Sequence, residues 1–311
     1  MSISVIIPAY NSAAFLPDAV NSIRRQNVAV DEIIIVDDGS VDNTEGVVQR
    51  LGGNVHYIKE KNQGPAAARN NGIRQANSEW IAFLDADDQW TDNKLQLQLD
   101  CLAKYPQLQL IAGDMAETDA NSNIVTASML QHHGQLAVFE MLGGKPIPDA
   151  CASLVQKNFI PTGTVLARKQ VLLDAGLFPE HIRFGEDLAL WAQVAAIAEI
   201  SCLPQVLMLR RRHDNNATDS TEGMLTGLVQ VMSILKEKCG EVLQQQGLSA
   251  QASLAQACFD LGYWQFHHKS PMQSREALNL SWANQKSFKT AAYLCIASLP
   301  KPLAHRFMRN K

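Results

Sequence analysis

Residues 3–8 read ISVIIP, an almost unbroken apolar run of the kind found in a strand that is buried on both faces. Leu16, Val20 and Ile23 follow at helical spacing, and a second apolar run, EIIIV, occupies residues 32–36. This alternation of buried strands with helical periods is typical of βαβ units around a mostly parallel sheet. The sequence therefore predicts an α/β fold in which helices flank the sheet.

The alternation continues to residue 112. The predicted elements are a helix capped by Asp42 and ending near Leu51, a strand at 55–59, a helix between Pro65 and Asn77, a buried strand at 80–84, a helix containing Leu95, Leu99 and Leu102, and a strand at 108–112. Residues 115–160 lack long periods and predict loops and short strands.

Regular patterns return from residue 164. They predict strands at 164–167 and 205–210, and helices at 170–175 and 187–198. From about residue 224 the chain is expected to be helical to its end, with breaks at Pro271 and at residues 300–302.

Composition excludes several classes of protein. The 311 residues are 46% hydrophobic and 19% charged with a net charge of −4, which argues against a disordered chain and against a generally basic nucleic-acid binder. The longest apolar stretches, 188–198 and 290–300, are shorter than the roughly 18 residues of a spanning helix, and the first residues do not resemble a signal peptide. The six cysteines have no CxxC spacing. We therefore expect a cytoplasmic protein with reduced thiols.

The end of the chain is basic. Residues 278–311 contain six lysines and arginines, no acid, and many aromatic and aliphatic residues. Such a composition fits an amphipathic segment that lies on a membrane surface, and it fits equally a terminal helix that packs on its own domain. Both interpretations stay open at this stage.

Two acidic turns follow predicted strands. Asp85-Ala86-Asp87-Asp88 places three carboxylates within four residues, a density of hard oxygen ligands that suits Mg²⁺ or Mn²⁺ together with substrate phosphates. The alternative is a group of helix-capping acids before residues 91–104. The other turn, Val36-Asp37-Asp38-Gly39-Ser40, could equally be an Asp-Gly turn that caps the next helix.

The two turns gain meaning together, because the carboxyl ends of parallel strands face one crevice. One nucleotide could then be shared between them, with Asp38 accepting a hydrogen bond from the base and Asp87 holding a metal beneath the diphosphate. Arg69 and Arg74, on the intervening helix, are candidates for phosphate or carboxylate pairing, or are surface charges.

The ordered motifs resemble those of family 2 glycosyltransferases. The matching segments cover about residues 3–215 and are SVIIPAYN at 4–11, VDDGS at 36–40, NQGPAAARN at 62–70, FLDADD at 83–88, TVLAR at 164–168, GLF at 176–178, GEDLALW at 185–191 and RRH at 211–213. The resemblance implies a GT-A fold and the inverting transfer of a sugar from a nucleoside-diphosphate donor, with a UDP-sugar expected.

The resemblance also assigns roles to residues. The nucleoside pocket would be lined by Ala9 and Tyr10, Asp38 would bind uracil or its counterpart, Asp85 would lie by the ribose and the metal, and Asp87 would ligate the metal. The full donor-binding set is Pro8, Ala9, Tyr10, Asp38, Arg69, Asp85, Ala86 and Asp87. Asp187 matches the catalytic base, and His213 resembles a position that completes the metal or diphosphate site in some members.

The chemistry agrees with a base at Asp187, since an acceptor hydroxyl is a poor nucleophile until a positioned carboxylate takes its proton. Glu186 and Asp187 could otherwise be acids favoured in the first turn of a helix. For His213, the alternative to a metal ligand is a solvated loop histidine beside the arginines at 210–212, which themselves could bind diphosphate or an anionic acceptor.

We therefore expect a hexosyl- or N-acetylhexosaminyltransferase that acts in cell-surface polysaccharide synthesis. The glycosyltransferase domain would span residues 1–222, with a nucleotide-binding half at about 1–114 and an acceptor half at about 115–222, and the helical C-terminal region would span 223–311. The acceptor would be a glycan or a lipid-linked molecule on the cytoplasmic side, with the basic tail on the inner face of the membrane.

Two other functions stay open. A non-catalytic scaffold that binds nucleotide sugars would keep the fold without the chemistry, although the acids argue against it. A sugar nucleotidyltransferase would need a glycine-rich loop where Pro8-Ala9-Tyr10-Asn11 stands.

Overall fold

The computed structural model describes residues 1–212 and 221–299. They form two compact units, the first made of residues 1–180 and 194–212 and the second of residues 181–193 and 221–299. The first unit holds the sheet and the second is helical. The predicted domain boundary at residue 222 stays a proposal.

The first part of the chain alternates strands and helices as predicted. Its elements are β1 (Ile3–Ala9), α1 (Leu16–Arg24), β2 (Glu32–Asp37), α2 (Thr44–Leu51), β3 (Val55–Lys59), α3 (Pro65–Gln75) and β4 (Trp80–Phe83). The four strands lie in the order β3-β2-β1-β4, and every neighbouring pair is parallel. Residues of β1 and β2 are almost completely buried, as the unbroken apolar runs predict.

The rest of the first unit extends this sheet. Its elements are β5 (Gln89–Trp90), α4 (Lys94–Lys104), β6 (Leu110–Thr118), β7 (Ile124–Thr126), α5 (Met129–His132), α6 (Leu136–Leu142), α7 (Ala150–Gln156), a 3-10 turn (Thr162–Thr164), β8 (Leu166–Arg168), α8 (Lys169–Asp174), α9 (Glu186–Ile197), which continues from the second unit, and β9 (Ile200–Arg211). The full order is β3-β2-β1-β4-β8-β6-β9-β5, with β7 on β6.

The sheet is mixed in this second half. The pairs β4–β8, β8–β6, β9–β5 and β6–β7 are antiparallel, whereas β6 and β9 are parallel. The α/β prediction with flanking helices and a helical C-terminal region is confirmed.

Residues 115–160 differ from the expectation of loops and short strands, because α5, α6 and α7 lie there. These helices have only four to seven residues, too few to produce a visible helical period. α5 begins where Ser128 caps the helix and the buried Asp114 carboxylate accepts from the Leu130 N–H at 2.9 Å. A carboxylate distant in sequence thus helps to start the helix.

One glycine decides how closely α3 approaches the sheet. A Cβ atom at Gly72 would lie 2.5 Å from Cγ2 of Ile6 in β1. Any larger residue would push α3 outward, and α3 carries Arg69. The helix–sheet spacing therefore helps to set the position of a candidate donor-binding residue.

The second unit contains α10 (Thr221–Gln245), α11 (Ala250–His268), α12 (Pro271–Asn284) and α13 (Phe288–Ala297). Ser249, Ser270 and Ser287 cap the last three through their side chains. Pro271 begins α12 rather than interrupting it, because the first turn of a helix needs no donor from that N–H. The break expected at residues 300–302 lies outside the described residues. Within residues 1–212 and 221–299, no helix combines the length and apolar character needed to cross a membrane.

Candidate active site

Both acidic turns lie at one edge of the sheet. β1 lies between β2 and β4, so the residues that follow these strands are neighbours. The Asp38 N–H donates to the Ala9 carbonyl at 2.8 Å, and the Leu84 N–H donates to the Ile6 carbonyl at 3.1 Å. The structure thus brings together a large part of the predicted donor-binding set, namely Pro8, Ala9, Tyr10, Asp38, Asp85, Ala86 and Asp87.

In the first acidic turn, both carboxylates accept hydrogen bonds from neighbouring N–H or hydroxyl groups. Asp37 is fully buried and accepts from the Ser40 N–H at 2.7 Å and from the Tyr57 hydroxyl. Burial and the hydrogen bond from Tyr57 to Asp37 raise the pKa of that phenol. These bonds assign Asp37 to the architecture of the turn.

Asp38 binds the loop that leads into α3. Its Oδ1 accepts from the Gln63 N–H at 2.7 Å and its Oδ2 from the Gly64 N–H at 2.8 Å, and the residue is only 4% exposed. A carboxylate oxygen has two lone pairs, so each oxygen keeps capacity for a further donor. Asp38 therefore shapes this loop and can still accept from a ligand.

Asn11 ties the loop after β1 to the loop after β2. Its backbone N–H donates to Ser40 Oγ at 2.8 Å, and its side-chain Oδ1 accepts from the Val41 N–H at 2.9 Å. Asn11 adopts φ of 49°, a left-handed conformation that asparagine tolerates better than most residues. The preceding Tyr10 is 52% exposed. Sequence reasoning assigned no role to Asn11, although an asparagine directly after a strand is a signal for such a turn.

In the second acidic turn, Asp85 has a charged partner. Asp85 Oδ1 lies 2.7 Å from Nη2 of Arg69, whose side chain is 7% exposed, whereas the Asp85 side chain is 37% exposed. The Arg69 guanidinium also lies 5.5 Å from the centre of the Phe178 ring. Arg69 thus joins the acidic turn, whereas Arg74 pairs at the surface with Glu180 at 3.6 Å.

Asp88 anchors the end of β9. It is 5% exposed, and its Oδ1 accepts from the Arg211 N–H at 3.0 Å. Burial and the neighbouring carboxylates Asp87 and Asp85 raise the pKa of Asp88 well above its ordinary value. Two residues after Arg211 comes His213, which lies outside the described residues. No sequence pattern links Asp88 to β9, because 123 positions separate the partners.

Trp90 holds the segment after the acidic turn. Its backbone N–H donates to Ser22 Oγ at 3.0 Å and its indole N–H to the Gly163 carbonyl at 2.8 Å. α4 begins only at Lys94 with Asn93 as its N-cap residue, and β5 precedes it. The acids at 85–88 are therefore not helix caps, which removes that alternative.

The arginine run at the end of β9 is paired with acids. Arg211 Nη2 lies 2.9 Å from Asp18, and its guanidinium lies 5.3 Å from the centre of the Phe15 ring. Arg210 and Arg212 both approach Glu117, at 3.4 and 3.9 Å. Arg210 and Arg212 therefore share one carboxylate.

The carboxylates of the second turn are compatible with a divalent cation. Asp85 and Asp87 are carboxylates of intermediate exposure, and Mg²⁺ or Mn²⁺ prefers such oxygens. Within residues 1–212 and 221–299, no group of three or more His, Cys, Asp or Glu side chains is arranged to hold a metal ion. The two carboxylates of Asp85 and Asp87 would supply only part of the ligands of such a cation.

Asp187 lies in the second unit, in the first turn of α9, where its Oδ1 accepts from the Leu188 N–H at 2.7 Å. Glycines keep α10 close to residues 184 and 185, which precede α9. A Cβ atom at Gly227 would lie 2.3 Å from the Phe184 carbonyl oxygen, and one at Gly185 would lie 3.1 Å from Val231. α10 thus supports the turn that carries Asp187, whose catalytic role stays a prediction.

Comparison with solved structures defines the fold. The chain is similar to the crystal structure of Staphylococcus aureus TarS residues 1–349 in complex with UDP, with a TM-score of 0.70 and 19% identity, covering 100% of this chain and 92% of that chain. The same region of TarS in complex with UDP-GlcNAc gives a TM-score of 0.66. The expected GT-A fold is confirmed.

Sequence comparison defines the family. Residues 4–158 match the model of Glycosyl transferase family 2, and the chain belongs to this family. It is 33% identical over 196 residues to an uncharacterized glycosyltransferase of Rickettsia conorii, covering 62% of this chain and 30% of that protein. It is 35% identical over 127 residues to a putative teichuronic acid biosynthesis glycosyltransferase, TuaG, of Bacillus subtilis, covering 38% and 50%. The chain spans about a third of the length of the first three curated relatives.

Proposed function

We propose that this chain transfers a sugar from a nucleoside-diphosphate donor to a hydroxyl group of a glycan or lipid-linked acceptor, with inversion at the anomeric carbon. The observation that carries the proposal is the pair of acidic turns, at Asp38 and at Asp85 to Asp88, on either side of β1 at one sheet edge. The fold shared with TarS, which was crystallised with UDP and with UDP-GlcNAc, supports a UDP-sugar donor. The sugar transferred would be a hexose or an N-acetylhexosamine.

The chain's own groups would hold the base and the ribose of the donor. Tyr10 offers an exposed ring for the base, and Asp38 keeps lone pairs for a base N–H. Asp85, held by Arg69, would face the ribose. Because the Asn11 contacts join the loops that carry Tyr10 and Asp38, the pocket would need little rearrangement on binding.

A bound Mg²⁺ or Mn²⁺ would neutralise the charge that develops on the leaving diphosphate. Asp87 would hold this cation, with Asp85 beside it and His213 as a further candidate. The bond between Asp88 and the Arg211 N–H supports His213 in this role, since it ties the end of β9 to the acidic turn.

Asp187 would accept the proton of the acceptor hydroxyl while the oxygen of that hydroxyl bonds to the anomeric carbon. The bond from that carbon to the diphosphate breaks on the opposite side, which inverts the configuration. A single base suffices, because the diphosphate leaves without protonation.

The setting would be the synthesis of a cell-surface polysaccharide at the cytoplasmic side of the membrane. The name of the relative TuaG, which refers to teichuronic acid, supports this class of product. Residues 115–222 would choose the acceptor, and residues 223–311 would form a separate helical region.

The test is donor hydrolysis by the purified protein across a panel of nucleoside-diphosphate sugars with Mn²⁺ or Mg²⁺. We expect metal-dependent release of the diphosphate from one donor, and a loss of about 100-fold or more in Asp87→Ala. Asp187→Asn should bind that donor normally and lose transfer to an acceptor. Asp100→Ala, which changes an exposed acid of α4, is the control and should behave as wild type.

Failure to bind any donor would overturn the proposal. Donor binding in wild type with no turnover, even when acceptors are supplied, would favour a non-catalytic scaffold.

A further inference from the structure

The outward face of α13 is apolar. The buried residues of this helix are Thr290 and Ala297. Phe288, Ala292 and Cys295 lie on the opposite side, and Leu299 extends the same stripe at helical spacing. Phe288 is 91% exposed and Leu299 is 40% exposed. A helix in contact only with water would normally carry polar residues on this side.

α10 provides the contrast within the same unit. Its exposed positions include charges of both signs, at Lys236, Glu237, Lys238 and Glu241, as is typical of a solvated face. The stripe of α13 carries no charged residue. An exposed apolar stripe rimmed by polar residues usually marks an interaction surface.

The orientation of this stripe follows from the packing of the inner side of α13. The Tyr293 ring lies 5.7 Å from that of Phe259, 5.3 Å from that of Tyr263 and 5.3 Å from that of Phe266. Ser287 caps the helix by accepting from the Thr290 N–H at 3.0 Å. Because the aromatic contacts face α11, Phe288 is held toward solvent.

The charged residues next to Phe288 in the sequence are both positive. Lys286 and Lys289 flank it at the N-terminal end of α13, where the helix dipole disfavours cations, so stabilising the helix does not explain them. Lys289 also lies 4.3 Å from the centre of the Phe259 ring. Residues 278–299 contain no acid, and the following sequence to residue 311 adds four cations and no acid. This end is basic although the chain carries a net charge of −4.

We propose that this face of α13 docks on an anionic lipid surface. Phe288 and Leu299 would enter the boundary between headgroups and acyl chains, and Lys286 would meet the phosphates. Charge complementarity selects this partner, because a second copy would bring like charges together. The proposal does not depend on the proposed reaction.

The test is co-sedimentation of the full chain with vesicles of phosphatidylcholine, with and without phosphatidylglycerol. We expect binding only to the vesicles with phosphatidylglycerol, weakened by salt. Phe288→Glu and Lys286→Glu should each weaken it about tenfold. The matched controls are Met141→Glu, at a residue 80% exposed in the first unit, and Lys238→Glu on α10, and both should bind as wild type.

Two results would overturn the proposal. One is that wild type stays in the supernatant with both kinds of vesicle, and the other is that Phe288→Glu binds as well as wild type. Sedimentation velocity addresses the other occupant: if Phe288→Glu splits an oligomer and leaves vesicle binding unchanged, the face joins two copies of the chain. No donor is present in these measurements, so their failure is distinct from a failure of the proposed reaction.

Discussion

The two acidic turns lie at one edge of the sheet, yet their carboxylates have different partners. In the turn after β2, Asp37 and Asp38 are buried and accept from backbone N–H groups and from the Tyr57 hydroxyl. In the turn after β4, Asp85 pairs with a guanidinium and Asp85 and Asp87 are partly exposed. Asp37 therefore acts mainly as architecture, Asp38 as architecture with spare lone pairs, and Asp85 and Asp87 as groups available to a ligand.

The largest expected effect separates the two turns by stability. Asp37→Ala would leave the Ser40 N–H and the Tyr57 hydroxyl without their acceptor, and should lower the free energy of unfolding by about 3 kcal/mol. Asp87→Ala should lower it by less than about 1 kcal/mol, because water reaches that position. Urea denaturation measures both. Equal losses in the two variants would contradict the assignment of a structural role to Asp37 and not to Asp87.

A smaller effect concerns the loop that joins the turns. Asn11→Ala removes the acceptor of the Val41 N–H and leaves alanine at φ of 49°, a left-handed conformation that alanine tolerates less well than asparagine. We therefore expect the free energy of unfolding to fall by about 1.5 kcal/mol. Asn11→Gly removes the same acceptor but suits that φ, and should lose about half as much. Their unfolding free energies provide the comparison. A glycine variant less stable than the alanine variant would show that the cost of the backbone conformation, not of the side-chain bond, is misjudged.

The smallest effect extends the comparison to the other end of β2. Glu32 is buried there; burial alone would raise its pKa, but the Asn77 N–H and the Ser4 hydroxyl outweigh burial and lower it. A carboxyl group whose pKa is lowered in the folded state stabilises the folded protein at pH values above its unfolded-state pKa. This stabilisation is lost as the pH falls through the folded-state pKa. Glu32→Gln should cost about 1 kcal/mol at neutral pH and less in acid. Unfolding measured across pH tests this, and a pH-independent difference would contradict it.

The parallel half of the sheet could be predicted because its signal is local. Apolar runs such as residues 3–8 and 32–36 are typical of strands that are buried between two layers of helices. The short helices of residues 115–160 and the two-residue strand β5 could not be predicted. They are too short to show a clear repeating pattern, and tertiary contacts stabilise them, such as the bond from the Leu130 N–H of α5 to Asp114 and the bond from the Trp90 indole of β5 to the Gly163 carbonyl.

The sequence by itself determined the order of strands and helices and the placement of acids directly after β2 and β4, because strand periodicity and strand ends are readable over a few residues. Only the tertiary structure decided what each acid does. Asp38 meets the Gly64 N–H 26 positions away and Asp88 meets the Arg211 N–H 123 positions away. Hydrogen bonds and burial depend on neighbours in space, and those neighbours are distant in the chain.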